Sequence, residues 1–293
     1  MFNNSNISVI GDIMLDKYVY CEIIGFSPED DLTPKIRPKR HQSFPGGAAN
    51  VAKNLRTIQC NCTLYGIIGN DTNGQELKTL LNDSNIKCKL YEQLKPTTTK
   101  TRYVTPKGRH IMRMDEEIAI PIPRNILKQI EEEYQSNKYD ITIISDYNKG
   151  MITKELMNII NKYSKVVVDP KGLDYTKYGE VLAITPNHKE YGPTNNAQNT
   201  IVTQGPEGSI LYNDKCTSIP VSPREVGDAT GCGDSFIAGL AASLASGFKI
   251  EEACRIASAM AACAVDYEGT HAVTIEEVLK ELEKPIYEIN ITR

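Results

Sequence analysis

Six short runs rich in β-branched residues recur along the chain: Ile7–Ile10, Leu64–Ile68, Ile141–Ser145, Val166–Asp169, Val181–Thr185 and Ile201–Thr203. Longer segments of helical period lie between them. Apolar strands separated by amphipathic helices bury themselves best as a mostly parallel sheet, because each crossover lays a helix on one of its faces. In GGAANVAKNLRTI, Ala48, Val51, Ala52, Leu55 and Ile58 share a face, as do Ile126, Leu127, Ile130 and Tyr134 in PRNILKQIEEEY. Two Ala-rich segments, Asp234–Ser246 and Ile250–Val265, are apolar enough to pack closely on a sheet, and TIEE at Thr274–Glu277 is a capping box opening a last helix. The pattern predicts a three-layer α/β fold with helices on both faces of the sheet.

Two stretches break the alternation. Tyr18–Phe44 is polar and, with the residue that follows it, carries Pro28, Pro34, Pro38 and Pro45, while Lys100–Asp115 reads as two extended arms around a PKG turn at Pro106–Gly108. Together they predict a small antiparallel β flap, inserted at about 14–44 and 97–115 into one domain that spans residues 1–293. With 33 Lys and Arg against 37 Asp and Glu the formal charge is −4, and there is no basic block of the kind that grips nucleic acid. The N-terminus has no basic region leading into an apolar stretch of signal length, and no run of eighteen apolar residues occurs, which predicts a soluble, cytoplasmic protein with no membrane partner. Eight cysteines without a CxxC read as reduced thiols, and the four histidines lack the spacing of a zinc site.

The chemistry concentrates in EVGDATGCGDSF, Glu225–Phe236, where glycines crowd a turn that runs directly into a helix. Gly231 and Gly233 let successive N–H groups face outward, and the helix adds the positive end of its dipole, so the turn is an anion cradle. Asp234 in it reads either as a helix cap or as a general base beside a bound phosphoryl group. No Walker A loop is present. After the first strand, Asp12 and Asp16 are either acceptors for sugar hydroxyls or, respectively, a turn residue and a solvated surface acid. Gly46 and Gly47 open a helix with Asn50 one turn in, a place where a ligand approaches backbone closely. SDYNKG and DPKG leave Lys149 and Lys171 just past strands, where open α/β sheets bind ligands. Asn187 and Glu190 are oxygen donors suited to a water-coordinated Mg²⁺, and Thr203, Gly205 and Gly208 lie in a turn able to take a flat nucleotide.

Taken in order, these motifs (GD, PGGAxNVA, IGND at Ile68–Asp71, NxxE, VTxGxxG and DxTGxGD at Asp228–Asp234) resemble the ribokinase-like, or pfkB, family of sugar kinases over nearly the whole chain. The resemblance implies Asp234 as catalytic base and an anion hole of Gly231, Cys232 and Gly233. It further implies nucleotide and Mg²⁺ contacts from Asn187, Glu190, Thr203, Gly205, Gly208, Thr230 and Ser258, with ATP as co-substrate and a monovalent cation as a further ion. Substrate contacts would come from Asp12, Asp16, Gly46, Gly47 and Asn50. Within the family, GDIMLDKYVY, SPED, SDYNKG and above all Asp169–Asn187 are most similar to members that phosphorylate D-glycero-β-D-manno-heptose 7-phosphate on the way to ADP-heptose and lipopolysaccharide core. That substrate needs a cation for its distal phosphate, with Lys100, Arg102, Arg113, Lys149 and Lys171 as candidates. The flap would cover the sugar and, as in related kinases, clasp a second subunit into a homodimer. Another phosphosugar or a nucleoside on the same fold, or a non-catalytic sugar-binding protein, remain the alternatives.

The chain departs from the family in four places. Cys232 stands where Ala is usual, Ser258 where Asn is usual, and Gly25 where close relatives have Arg. Between Glu190 and Thr200 there are nine residues, YGPTNNAQN, where relatives carry a helix. A link so short makes a poor crossover between parallel neighbours, and predicts a local rearrangement.

Overall fold

The computed structural model describes residues 2, 5–30, 32–192, 196–222, 229–267 and 269–284. The chain opens with β1 (Asn6–Gly11), then β2 (Ile13–Phe26) and β3 (Pro34–Gly47), followed by α1 (Ala48–Thr57), β4 (Asn61–Gly69), α2 (Thr72–Asp83) and β5 (Lys87–Gln93). A second extended pair, β6 (Thr99–Val104) and β7 (His110–Glu116), precedes α3 (Arg124–Ser136), β8 (Ile141–Ser145), α4 (Lys154–Tyr163), β9 (Lys165–Asp169) and β10 (Glu180–Ile184). The last part holds β11 (Asn196–Thr203), β12 (Ser209–Tyr212), β13 (Cys216–Ile219), α5 (Cys232–Ala245), α6 (Ile250–Ala264) and α7 (Ile275–Leu282).

The main sheet has the order β13-β12-β11-β10-β9-β8-β1-β4-β5, parallel throughout except at β12 and β13. Period-two alternation divides the core between its faces. Val9, Ile143, Val167 and Ala183 pack with α1, α5 and α6, whereas Ile10, Ile144, Val168 and Ile184 pack with α3 and α4. The Ala-rich α5 and α6 approach closely because Gly239 faces Met260, where a Cβ would lie 2.7 Å from the Met sulfur. Sequence order reverses between β1 and β8, and the carboxyl ends of β1, β8, β9 and β10 border the crevice that this switch opens. Gly11 is obligatory there, since a Cβ would sit 2.1 Å from the Ser145 carbonyl oxygen.

The flap is a separate four-stranded sheet of order β3-β2-β6-β7. Its hairpins β2–β3 and β6–β7 are antiparallel, but β2 and β6 run parallel, which corrects the expectation of an all-antiparallel flap. The two hairpins come from distant parts of the chain, so no turn dictates their relative direction. The prolines of β3 are accommodated because β3 is an edge strand, with Pro38 opposite Cys21 at a register shift.

β10 and β11 are parallel neighbours joined by residues 185–195 with no helix among the described residues, and Pro193, Thr194 and Asn195 fall outside the description. The expected rearrangement takes a definite form. The Tyr175 hydroxyl donates to the Glu190 carbonyl and accepts from the Gly192 N–H at 3.2 Å, and a Cβ on Gly192 would lie 2.5 Å from the Leu173 carbonyl oxygen. Tyr191 stacks on Tyr212 with ring centroids 5.6 Å apart. The segment between β9 and β10 thus holds the link that a helix would otherwise hold. β11 also starts earlier than the apolar run suggested, because Asn196–Asn199 pair with β10 and Asn199 Nδ2 donates to the Leu182 carbonyl at 2.9 Å.

Candidate active site

Helix α5 begins at a left-handed residue. Gly231 has φ 82°, and a Cβ there would meet the Asn50 amide nitrogen at 2.8 Å, so geometry and space both require glycine. Asp234 follows in the first turn of α5, 4 % exposed. Its oxygens do not cap the helix. Oδ2 accepts from Asn50 Nδ2 at 2.8 Å and Oδ1 accepts from the Tyr147 hydroxyl at 3.0 Å. Burial lifts its proton affinity to a pKa of about 7, opposed by those two donors and reinforced by Asp16. A carboxylate so poised is suited to exchanging a proton near neutral pH. Cys232 N–H reaches the Ala229 carbonyl at 3.3 Å, a long bond that an anion could replace. Asp228, the first residue of the glycine motif, lies outside the described residues.

Two chambers meet at this helix start. The polar one, of about 470 Å³, is lined by Asp146, Asp169, Asn187, Glu190, Gly231 and Asp234 among others. The second, of about 210 Å³, is mostly apolar, with Gly205, Gly208, Cys232, Ser258, Ala261 and Val265 on its walls. Thr203, Gly205, Gly233 and Phe236 border both chambers, so together they make one cleft with a wet end and a dry end. Gly208 has φ 88° and no room for a side chain, since a Cβ would lie 2.2 Å from the Ile219 carbonyl oxygen; Gly205 is required by its φ of 60° alone. Ser258 is buried on α6 with its hydroxyl 3.5 Å from that of Ser209, and Thr230 occupies the turn into α5.

Asn187 and Glu190 are brought together as the NxxE spacing suggested: Asn187 Oδ1 accepts the Glu190 N–H at 3.1 Å and its Nδ2 donates to Glu190 Oε2 at 2.5 Å. Among the described residues no group of three or more His, Cys, Asp or Glu is arranged to hold a metal. Yet the polar chamber gathers oxygen donors, and burial together with the nearby Asp234 pushes the Asp169 carboxyl well above its usual range. That donor set fits a hard divalent ion held on nucleotide phosphates through water, and does not form a cage by itself.

On the sugar side the outcome is mixed. Asp16 is no surface acid: it is buried and ion-paired with Arg102, and Gly46 is required because a Cβ would lie 2.0 Å from Asp16 Oδ2. Gly47, φ 59°, would place a Cβ 2.4 Å from the Asp12 carbonyl oxygen. Asn50 is fully buried, and its Oδ1 has no hydrogen-bond partner, an acceptor left for a ligand hydroxyl. Asp12 accepts three backbone N–H groups, from Tyr147, Lys149 and Met151, so its carboxylate organises the loop after β8, in keeping with the turn-residue alternative. Lys171 pairs with Glu190 and lines the polar chamber together with Asp234. Arg113 is exposed and pairs with Asp115 at 2.9 Å. Lys100 and Lys149 share Glu117, at 3.4 and 2.5 Å, and Lys95 Nζ donates to the Lys149 carbonyl at 3.2 Å.

Tyr147 and Asp169 line the polar chamber, and Lys95 and Glu117 contact Lys149, although sequence reasoning passed all of them over. A signal existed for two of them: Asp169 closes β9 and Tyr147 follows β8, both at strand ends on the crevice.

Comparison with known proteins bears on the family and the fold. The sequence profile of the pfkB family of carbohydrate kinases matches residues 4–277. The bifunctional protein HldE of Bradyrhizobium diazoefficiens is 33% identical over 309 residues, covering 93% of this chain and 62% of that protein. HldE of Aliarcobacter butzleri is 32% identical over 315 residues, covering 97% and 66%. The chain thus spans about two thirds or less of the length of these relatives. Phosphofructokinase-2 from Escherichia coli, solved in complex with potassium, superposes with TM-score 0.79 at 20% identity over 95% of this chain and 98% of that one. Ribokinase from Thermotoga maritima gives TM-score 0.76 at 22% identity, over 96% and 100%. These likenesses show a shared ribokinase-like fold.

Proposed function

We propose, for a chain that belongs to the pfkB family of carbohydrate kinases, that it moves the γ-phosphoryl group of ATP to the C1 hydroxyl of D-glycero-β-D-manno-heptose 7-phosphate, giving the 1,7-bisphosphate used for ADP-heptose and lipopolysaccharide core. The observation that carries the phosphotransfer is Asp234, a buried acid in the first turn of α5, held at both oxygens and facing a polar chamber. The heptose rests on the sequence string Asp169–Asn187 and on the similarity to the HldE proteins.

The base takes the C1 hydroxyl proton onto an Asp234 oxygen as the sugar oxygen attacks the γ-phosphorus, and the bond to the β-phosphate oxygen breaks, releasing ADP. The amides of Gly231, Cys232 and Gly233 and the dipole of α5 favour the charge on the phosphoryl group in flight. The adenine fits the apolar chamber beside Gly205, Gly208 and Ser258. Asn187, Glu190 and Asp169 would hold the waters of a Mg²⁺ ion carried by ATP, which supplies charge neutralisation on the β- and γ-phosphates. Asn50 Oδ1, Gly46 and Gly47 meet the sugar near the reacting hydroxyl. The distal phosphate fits between Lys100 and Lys149, with Lys95 behind them, by displacing Glu117 from the two lysines it joins. The flap excludes water from the reacting centre.

An ATP-consumption assay over a panel of sugar phosphates, with ³¹P NMR of the product, tests this reading. Turnover confined to the heptose with a new C1 phosphate upholds it. Turnover only with another sugar overturns the substrate assignment, and sugar binding with no turnover overturns the kinase assignment.

A further inference from the structure

The loop between β8 and α4 carries more restraints than a connection needs. Asp12 Oδ2 accepts the N–H groups of Tyr147 (2.8 Å) and Lys149 (3.0 Å), and its Oδ1 accepts that of Met151 (3.2 Å). Asp146 Oδ1 accepts the Asn148 N–H at 2.8 Å, while its Oδ2 receives the Tyr178 hydroxyl at 2.7 Å and Lys177 Nζ at 2.5 Å. Asn148 adopts the left-handed region with φ 56°, and its side chain accepts from Lys177 at 2.9 Å. All of this directs one side chain. The Tyr147 hydroxyl donates to Asp234 Oδ1 at 3.0 Å, and its ring edge would touch a Cβ on Gly47 at 3.5 Å. Asn50 on α1 holds the other oxygen at 2.8 Å. Both side-chain donors thus reach Asp234 from elements other than its own helix.

We propose that Tyr147 is a positioning residue for phosphoryl transfer: its phenol, aimed by the loop that Asp12 clamps, fixes the plane of the Asp234 carboxylate and holds it charged for the incoming proton. This rests on the reading of Asp234 as the base. The groups that face Asp234 set the need for such a donor. Asp16 on β2, paired with Arg102 on β6, brings negative charge to a buried carboxylate, and Asp169 on β9, with Lys171 and Glu190 beyond it, is itself pushed well above its usual range by burial and by Asp234. The start of α5, Asn50 and Tyr147 oppose them. Removing the hydroxyl of Tyr147 takes one of these opposing donors from Oδ1 in a site where burial already disfavours charge.

The test compares the whole protein with Tyr147→Phe, which keeps the ring against Gly47. Aspartate labelled with ¹³C at the carboxyl is titrated by NMR without substrate, the Asp234 signal being identified by its loss in Asp234→Asn. The midpoint near pH 7 should rise by about one pH unit in Tyr147→Phe, as expected for one hydrogen bond to a charged group. The acidic limb of kcat/KM should move by the same amount. Coincident midpoints overturn the proposal. A measurement on the unaltered fold guards against misfolding of the variant: in the wild-type protein the Tyr147 ring carbon bearing the hydroxyl should show the Asp234 inflection, and its absence there also overturns the proposal. A shifted midpoint in a protein that phosphorylates no sugar would uphold the Tyr147 contact and overturn the proposed function instead.

Discussion

At the scale of single residues the site is a carboxylate kept where water would not keep it. Burial lifts the pKa of Asp234 to about 7 because it disfavours the charge, and a proposed base with that affinity works best when ionised. Activity should therefore fall as pH drops below about 7, with kcat/KM losing about tenfold per unit, measured across pH 5–9. The linkage has the opposite sense for stability. The folded pKa lies above the ordinary 3.8, so the stability this group contributes is complete below about pH 4 and is lost as pH rises through 7. With Asp234 as the base, activity is expected where this acid stabilises the fold least. Asp234→Asn should lower kcat by about 10²–10⁴ while circular dichroism and the thermal midpoint show an intact fold. Near-normal turnover would remove Asp234 from the role of base.

At the scale of elements the short link between β10 and β11 is held by contacts from outside it. The Tyr175 hydroxyl bonds both the Glu190 carbonyl and the Gly192 N–H, tying down the residue next to the proposed Mg²⁺ waters. Tyr175→Phe leaves both groups without that partner and should cost about 1–3 kcal/mol of stability. It should also raise KM for Mg-ATP several-fold while leaving KM for the sugar unchanged, which steady-state kinetics with each substrate varied in turn would read. Equal changes in both would mean that the clamp serves folding alone. Elsewhere short signals were enough to start elements: Asp71 Oδ1 caps α2 through the Gly74 N–H at 2.7 Å, Thr153 caps α4, and the Thr274–Glu277 box caps α7.

At the scale of the molecule the flap is the least self-sufficient part. Its own apolar cluster is small, Tyr18, Tyr20 and Val104 with Phe44 against them, while Leu32 is 87% and Phe26 56% exposed, with Ile23, Ile24, Met112 and Met114 also open. Exposed apolar surface of this kind marks an interaction face. We expect two flaps to pair into a homodimer, and Phe26→Asp to shift the protein from dimer to monomer in sedimentation velocity without lowering its helix content. A wild-type monomer at micromolar concentration would exclude that assembly.

Sequence alone determined the strands β1, β4, β8, β9, β10 and β11, the helices α1, α3, α5, α6 and α7 and the glycine turn into α5, because strand and helix periodicity and left-handed glycines are local demands that residues state by themselves, whereas β5, β12, β13, α2 and α4 carried too weak a pattern. The meeting of Asn187 with Glu190 and the place of Asp234 in the first turn of α5 were legible for the same reason: each lies in a short motif whose backbone geometry is nearly self-contained. Tertiary structure decided what depends on partners distant in the chain. Asp12 and Asp16 are both acids following a strand, yet one meets the amides of residues 147–151 and the other meets Arg102, 86 positions away. Tyr147 reads as one more tyrosine until α5 places Asp234 against it, 87 residues on. The parallel pairing of β2 with β6 likewise has no local cause. A side chain's chemistry is written in the sequence, whereas its charge state and its task come from neighbours that only the closed fold supplies.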